Sequence, residues 1–340
     1  MPGISLSKAA GGLAAVALML AAPAAAADDA YYKGKTIRIV VGFGVGGGYD
    51  AYSRMLAPEF AKKLGATVIV ENQPGAGGLS SLNRFARAPG DGLQMTLVNG
   101  TSAAVSQLIG DKGLRFDLTE LKQLGITDYS PWLLLVQPKS PHKTVQDLMN
   151  RKEPLQFGAS GRLDALGVGA LFACHTIKLN CKVVAGYKGS AQVSLALAQG
   201  EMDALYVSHT SAYNYVKAGS AKAIVTWNRE RSNLFPDLPT VTEVLKLNDE
   251  QLWWLDTRNT IEGLGRMLVA PPSTPRAQVD TLRAAAKEIL TDKEFIAAAE
   301  KKKRPIKFIE APKVDQMVRT LLSDITPAQK AQIKTMLLGK

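Results

Sequence analysis

The residues best suited to chemistry form a glycine-rich turn, Gly42-Phe-Gly-Val-Gly-Gly-Gly-Tyr-Asp50, between an apolar β-rich run and a helical pattern. Glycine lets the main chain adopt positive φ and lets a ligand approach it closely. The free N–H groups of the following helix then face an anion, assisted by the helix dipole. A carboxylate or phosphate can be held there without any cationic side chain. A second reading is open: Gly42-x-Gly44-x-x-Gly47 fits the dinucleotide fingerprint, with Glu71 at the end of the next strand as the ribose acid. Glu71 comes somewhat later than the usual spacing of about 20 residues. A third reading is a purely structural tight turn.

Candidates for catalysis are few. The histidines are His142, His175 and His209, and none has the spacing of a metal motif such as H-E-x-x-H, so no metal or cofactor is expected. Cys174 and His175 are neighbours, but adjacent helical side chains point apart. Gly158-Ala-Ser-Gly161 lacks the spacing of a nucleophile elbow. Cys174 and Cys181 are the two cysteines; an oxidising compartment favours a disulfide, with two independent buried thiols as the alternative. His209 ends a strand, where it either lines a cleft or is a simple loop histidine.

These groups must be positioned by an α/β alternation. Strands are expected at Thr36–Val41, Thr67–Val70 and Met95–Val98, and helices at Ala51–Leu64 and Leu79–Arg87, with Pro58 weakening or kinking the first helix. The character changes around Gly125–Pro138. A second set follows: strands Trp132–Val136, Leu155–Gly158, Lys182–Ala185, Ala204–Val207 and Ala221–Thr226, with helices Thr144–Met149, Ala165–Thr176, Gln192–Gln199 and Ala212–Ala218. Helices Arg276–Leu290, Asp292–Lys301 and Pro327–Leu338 close the chain. Strands alternating with helices imply parallel βαβ units. The reading is two α/β lobes, residues 28–128 with 231–340 and residues 129–230, the second inserted into the first. Two crossings make a hinge around a cleft.

The chain opens with Lys8, an apolar run over Gly11–Ala22 and small residues at Ala25 and Ala27, the pattern of a cleaved secretory signal over residues 1–27. The formal net charge is +11, and +10 without Lys8. That balance favours anionic partners through long-range steering. The basic residues are spread along the chain, so nucleic acid is not an expected partner. The densest run, Lys301–Arg304, reads as a solvated helix terminus.

Further loops fall at strand ends: Asn72-Gln-Pro-Gly-Ala-Gly-Gly78, Asn99-Gly-Thr-Ser102 and Ala159-Ser-Gly-Arg-Leu-Asp164. In open α/β sheets ligands bind outside the carboxyl ends of strands. Together with Ile37–Asp50, Arg54, Ala88-Pro-Gly-Asp-Gly92, Gly186-Tyr-Lys-Gly-Ser190, Gln199-Gly-Glu-Met-Asp203, Leu238-Pro-Thr240 and Ala270-Pro-Pro-Ser-Thr-Pro275, these segments resemble, in order, the tripartite tricarboxylate transporter receptors of the Bug (TctC-like) type. The resemblance covers essentially the whole mature chain. It implies a two-lobed, type II-like periplasmic-binding-protein fold that closes on a carboxylate and delivers it to the membrane components of a transporter. The expected form is a monomer in the periplasm.

Carried over, the first jaw falls on Val45, Gly46, Gly47, Gly48, Tyr49 and Asp50, with Gly77, Gly78, Thr101 and Ser102 beside it. The opposite jaw falls on Ser160, Gly161, Arg162 and Asp164, with Tyr187 and Lys188 near. The loop reads Gly161-Arg-Leu-Asp-Ala-Leu166, without the family's usual His-Leu pair, which moves the specificity question there. Arg162 either pairs with a ligand carboxylate or is an exposed loop arginine. Tyr49 and Tyr129 either pack on the ligand or sit in the core. Asp50 suits capping or bracing better than contact with an anion, which its charge would repel. Leu247–Arg266, with Trp253, Trp254 and Arg258, departs from the family's short link and reads as a lobe insertion or a partner surface.

Overall fold

A computed structural model describes residues 29–339, and the leader expected over residues 1–27 lies outside the described residues. The first lobe opens with β1 (Thr36–Val41), α1 (Gly48–Leu64), β2 (Thr67–Asn72), α2 (Leu79–Phe85), β3 (Gln94–Asn99), α3 (Gly100–Leu108) and β4 (Lys122–Asp128). The chain then crosses into β5 (Trp132–Val136), α4 (Val145–Met149), β6 (Leu155–Ala159), α5 (Ala165–Thr176) and β7 (Cys181–Ala185). The second lobe ends with α6 (Ser190–Gln199), β8 (Ala204–Ser208), α7 (His209–Lys217) and β9 (Lys222–Thr226). After α8 (Val241–Val244) and α9 (Asp249–Glu262) the chain returns as β10 (Arg266–Ala270). Helices α10 (Arg276–Thr291), α11 (Lys293–Lys301), α12 (Ala311–Asp324) and α13 (Pro327–Leu338) complete it.

Two five-stranded sheets result, ordered β2-β1-β3-β10-β4 and β7-β6-β8-β5-β9. In the first, β1 runs parallel to β2 and β3, while β10 is antiparallel to β3 and β4. In the second, β6 runs parallel to β7 and β8, while β5 is antiparallel to β8 and β9. Each sheet therefore has one reversed strand in its fourth place, supplied where the chain passes between sheets. This is the arrangement of two α/β lobes, one inserted into the other, that the strand and helix pattern implies.

The strands form where apolar residues can be covered on both faces, as parallel sheets require. Ile37, Ile39 and Met95 face α1 and α10, where Leu56, Phe60, Leu282 and Ile289 are buried. The other face of that sheet carries Val40, Val98 and Val269 under α3 and α12. That second cluster does not stop at the lobe boundary: it takes in Val168 and Phe172 of α5 and Trp254 and Ile261 of α9. On the opposite side of α9, Leu255 is buried among Leu134, Phe157 and Tyr206 of the second sheet. The segment noted above as a departure is thus a helix wedged between the two cores.

Several details differ from the sequence reading. Helix α1 begins at Gly48, three residues before the pattern suggests, because Gly47 in extended backbone acts as its N-cap. It runs unbroken through Pro58. Pro58 and Arg54 lie on its exposed side, so the carbonyl that loses its partner faces water while Tyr52, Met55, Leu56 and Phe60 hold the buried side. Strand β2 extends to Asn72, which places Glu71 inside an edge strand. Helix α11 ends at Lys301, but the basic run after it is not wholly solvated: Arg304 turns inward and is buried. Cys174 and Cys181 form a disulfide that ties the end of α5 to the start of β7.

Candidate functional site

The carboxyl ends of the parallel strands of both sheets point at one cleft. From the first lobe come the turn after β1, the loop after β2 and Asn99 at the end of β3. From the second come the loops after β6 and β7 and Ser208 at the end of β8. The lobes close this cleft to a cavity of about 30 Å³, bordered by Phe43, Gly48, Tyr49, Trp132, Asp164 and Arg266 among others. A smaller cavity of about 20 Å³ continues beneath Phe43, against Gly77, Gly78, Ser81 and Ser102.

Of the helices that start at this cleft, α1, α3, α5, α6 and α7 reach the main cavity or its edge, and their N-termini differ. Asn99 accepts from the Ser102 N–H and so caps α3. Asp164 accepts from the Gly167 N–H at 2.7 Å and caps α5. By contrast α1, α6 and α7 have as N-caps Gly47, Gly189 and Ser208, none of which makes a side-chain capping bond. The first turns of these three helices border the cavity through Gly48, Ser190 and Ser211. An uncapped first turn has no side chain on its N–H groups and presents the positive end of the helix dipole, although at α7 the first of them, His209 N–H, donates to the Pro131 carbonyl at 2.9 Å. Three such turns, drawn from both lobes, converge on one cavity.

The glycine turn is held from behind. Asp50 is buried and accepts from the Gly46 N–H at 2.9 Å, from Arg54 Nε at 2.9 Å and from Asn72 Nδ2 at 3.0 Å. Burial opposes its ionisation, but the bonds from Arg54, Gly46 and Asn72 hold it below the ordinary carboxylate range. Asn72 also donates to the Phe43 carbonyl at 3.0 Å. Asp50 therefore shapes the turn and has its oxygens engaged by it.

The cationic group of the site lies far away in sequence. Arg266, the first residue of β10, is 5% exposed and pairs through Nη1 with Asp128 on neighbouring β4. Its Nη2 donates to Ser208 Oγ at 3.0 Å, across the lobe boundary, and lies 3.5 Å from Thr210 Oγ1. Burial works against the charge, but Asp128 beside it keeps Arg266 cationic. A β-carbon at Gly48 would stand 2.8 Å from Nη2, so only glycine there lets the guanidinium approach the first turn of α1. Asp164 is the other charged residue bordering the cavity; burial pushes its carboxyl up to about 6, against bonds from Ser160 and Gly167.

The profile of the tripartite tricarboxylate transporter family receptor, TctC, matches residues 52–323. The chain belongs to this family. This receptor is 31% identical over 288 residues to a UPF0065 protein of Bordetella pertussis, covering 84% of each chain. Its fold is similar to the periplasmic binding protein BugD, with a TM-score of 0.74 at 22% identity, over 90% of this chain and 98% of that one. It is also similar to MatC of Rhodopseudomonas palustris with bound malate, at TM-score 0.69 and 21% identity, over 89% and 99%.

Of the residues expected at the site, the receptor brings Gly47, Gly48, Tyr49 and Asp164 to the main cavity. Gly77, Gly78 and Ser102 border the smaller one, and Thr101 lies beside Asp128 and Tyr129. Gly161 packs on Gly77, and the Ser160 hydroxyl donates to Asp164. Val45 is 68% exposed at the tip of the turn. The Lys188 side chain is exposed, but its carbonyl accepts from the Gly44 N–H at 2.6 Å, a main-chain link between lobes. Tyr187 packs against the second-lobe core beside α6.

Three expectations are corrected. Arg162 does not face the cavity: its Nε donates to the Leu337 carbonyl at 2.5 Å, so it fastens α13 to the second lobe. The α5 N-terminus turns that loop outward at Arg162 while Asp164 turns in as the cap. His209 does not line the cleft; it is fully buried with Nδ1 2.7 Å from Ser232 Oγ. Burial, with Lys307 and Arg266 near, pushes it down to about 3. Tyr129 lies under Lys307 rather than in the main cavity.

Sequence reasoning missed Trp132, Ser208, Ser211 and above all Arg266 among the lining residues; Asn99 and Ser190 lay in segments it marked but were not singled out. An arginine opening a short apolar run carries no motif. Ser208 and Ser190 were readable only as small polar residues at a strand end and a helix start. The dinucleotide reading loses its ribose acid, since Glu71 is exposed on an edge strand and accepts from Gln73. A β-carbon at Gly42 would also meet Gly78 Cα at 2.8 Å, so that glycine serves chain packing.

Proposed function

We propose that this chain is a periplasmic receptor that captures a small carboxylate between its lobes and delivers it to the membrane components of a tripartite tricarboxylate-type transporter. The observation that carries the reading is the convergence of the uncapped α1, α6 and α7 termini with the buried Arg266 on one cavity. Partial positive charge from three helices and one guanidinium suits an anion, and the lobes' contribution from both sides suits capture by closure. The malate in MatC, a protein of the same fold, accords with this.

The cavity of about 30 Å³ is far below the several hundred Å³ of a typical small-molecule site. The lobes therefore part to admit the ligand and close around it. Residues 28–128 with 231–340 and residues 129–230 are the bodies that move. The protein acts as a monomer after removal of residues 1–27, and binds without chemistry. The histidines support this last point: His142 lies 3.1 Å from Arg151, His175 packs on Trp254, and His209 bonds Ser232.

A thermal-shift screen of mono-, di- and tricarboxylates against NAD and NADP tests the reading, because a ligand that binds only the folded state raises its melting temperature. Stabilisation by carboxylates is expected. Stabilisation by the dinucleotides alone would overturn it.

A further inference from the structure

Arg266 is a costly residue to bury, and its surroundings leave it incompletely matched. Its Nη1 is on Asp128, its Nη2 has only the hydroxyls of Ser208 and Thr210, and its Nε has no partner although it is buried. Hydroxyls recover little of what a guanidinium loses on leaving water. Asp128 must also serve more than one cation: Arg304, buried with an unpartnered Nη1, and Lys307 both act on it. Asp164, whose oxygens are occupied by Ser160 and the α5 terminus, adds one further carboxyl at the cavity. Apart from the self-contained Arg258–Glu262 ion pair nearby, three cations therefore meet two acids around the site.

The three open helix termini are sufficient for one carboxylate by themselves, since each presents about half an elementary charge. A full guanidinium at the same cavity is then in excess for a monoanion. We propose that Arg266 is the specificity-determining residue of the site: it takes a second anionic group of the ligand, displacing the hydroxyls of Ser208 and Thr210, and so selects dianions over monoanions. Its position fits this role. It belongs to the first lobe, bonds the second, and lies at the α1 first turn, so a ligand group placed on it is gripped as the lobes close. The fork of Nε and Nη2, free of the Asp128 carboxylate, matches the two oxygens of a carboxylate.

This inference rests on the carboxylate reading above, and the test separates the two. Calorimetric titration uses length-matched pairs: succinate with butyrate, adipate with hexanoate, terephthalate with benzoate. The quantity read is the ratio of dianion to monoanion affinity. It is compared in the unaltered protein, in Arg266→Lys, and in the double variant Arg266→Met with Asp128→Asn, which avoids stranding a buried Asp128. The double variant should lower the ratio by about tenfold to a hundredfold, the effect of losing a charged hydrogen-bonding partner. Arg266→Lys, which keeps the charge and loses the fork, should fall between. A ratio that stays within about threefold of the unaltered protein's in the double variant, below the smallest loss a charged hydrogen bond would cause, overturns the role of Arg266 and leaves the carboxylate reading standing. If the double variant does not fold by far-UV circular dichroism, an unchanged ratio in Arg266→Lys overturns it instead. If the unaltered protein binds none of the six acids, the carboxylate reading fails and this inference with it.

Discussion

Gly77 of the first lobe lies directly against Asp164 of the second: a β-carbon added at Gly77 would overlap that of Asp164. Gly161 completes the contact, since its own β-carbon would stand 2.9 Å from the Gly77 nitrogen. The two lobes thus meet with the Asp164 side chain and the Gly161 backbone seated directly on the main chain of Gly77. Gly77→Ala should hold the jaws apart and weaken carboxylate binding by about tenfold or more, as a loss of near 1.4 kcal/mol does. Its φ of +65° adds strain of about 1 kcal/mol in any state that keeps this backbone. Calorimetry and thermal melts measure the two effects separately; unchanged affinity would falsify closure at this contact.

Two buried groups oppose each other in their pH dependence. His209 is pushed down to about 3 from 6.5, so its contribution is fully present above pH 6.5 and is lost as pH falls toward 3. Asp164 is pushed up to about 6 from 3.8, so its contribution is fully present below pH 3.8 and is lost as pH rises through 6. Between those limits the slopes cancel in part. His209→Gln removes the first, and the variant should then gain stability relative to the unaltered protein as pH is lowered from about 6 to 3.8. Urea denaturation across that range reads the difference, and parallel curves for the two proteins would sink the assignment.

Arg162 fastens the last helix to the second lobe through the Leu337 carbonyl. Because this bond joins parts of the chain on either side of the cleft without touching the cavity, Arg162→Ala should weaken all carboxylates alike. One hydrogen bond of about 1 kcal/mol corresponds to roughly fivefold in affinity. A change of selectivity between ligands in this variant would place Arg162 at the ligand after all.

Asp50 holds the glycine turn with three accepted bonds while almost fully buried. Asp50→Ala should destabilise the fold by about 2 kcal/mol, since the bonds are to an ionised group. Arg54→Met should cost under about 1 kcal/mol, because Arg54 is half exposed and its ion pair is screened. Chemical denaturation of both variants checks the order; equal losses would shift the bracing role to Arg54.

Much of the architecture was legible because alternating strands and helices leave periodic apolar traces, as in Thr36–Val41 and Ala165–Thr176. The turn was legible because glycine is chemically conspicuous. What escaped notice had other causes. Strand β10 is five residues long and opens with the buried Arg266, so charge masks its start, and it pairs only with residues far away in sequence. Helix α9 has no strong apolar face because both sides are buried against different lobes. Arg162 misled because a loop arginine beside an expected ligand site invites an anion. Only the direction of the α5 first turn shows which of Arg162 and Asp164 faces inward.

Three of the four tryptophans, Trp132, Trp227 and Trp254, lie where the lobes join. Trp132 borders the cavity, stacks near Tyr206 and accepts through its carbonyl from the Trp227 N–H at 2.7 Å, linking the strands that enter and leave the second lobe. Trp253 and Trp254 sit edge to face on the wedged helix α9. Indole emission depends on the polarity around the ring. The unlabelled protein is therefore its own optical gauge: a shift in the colour of its fluorescence registers the lobes parting or meeting, in real time and without any dye.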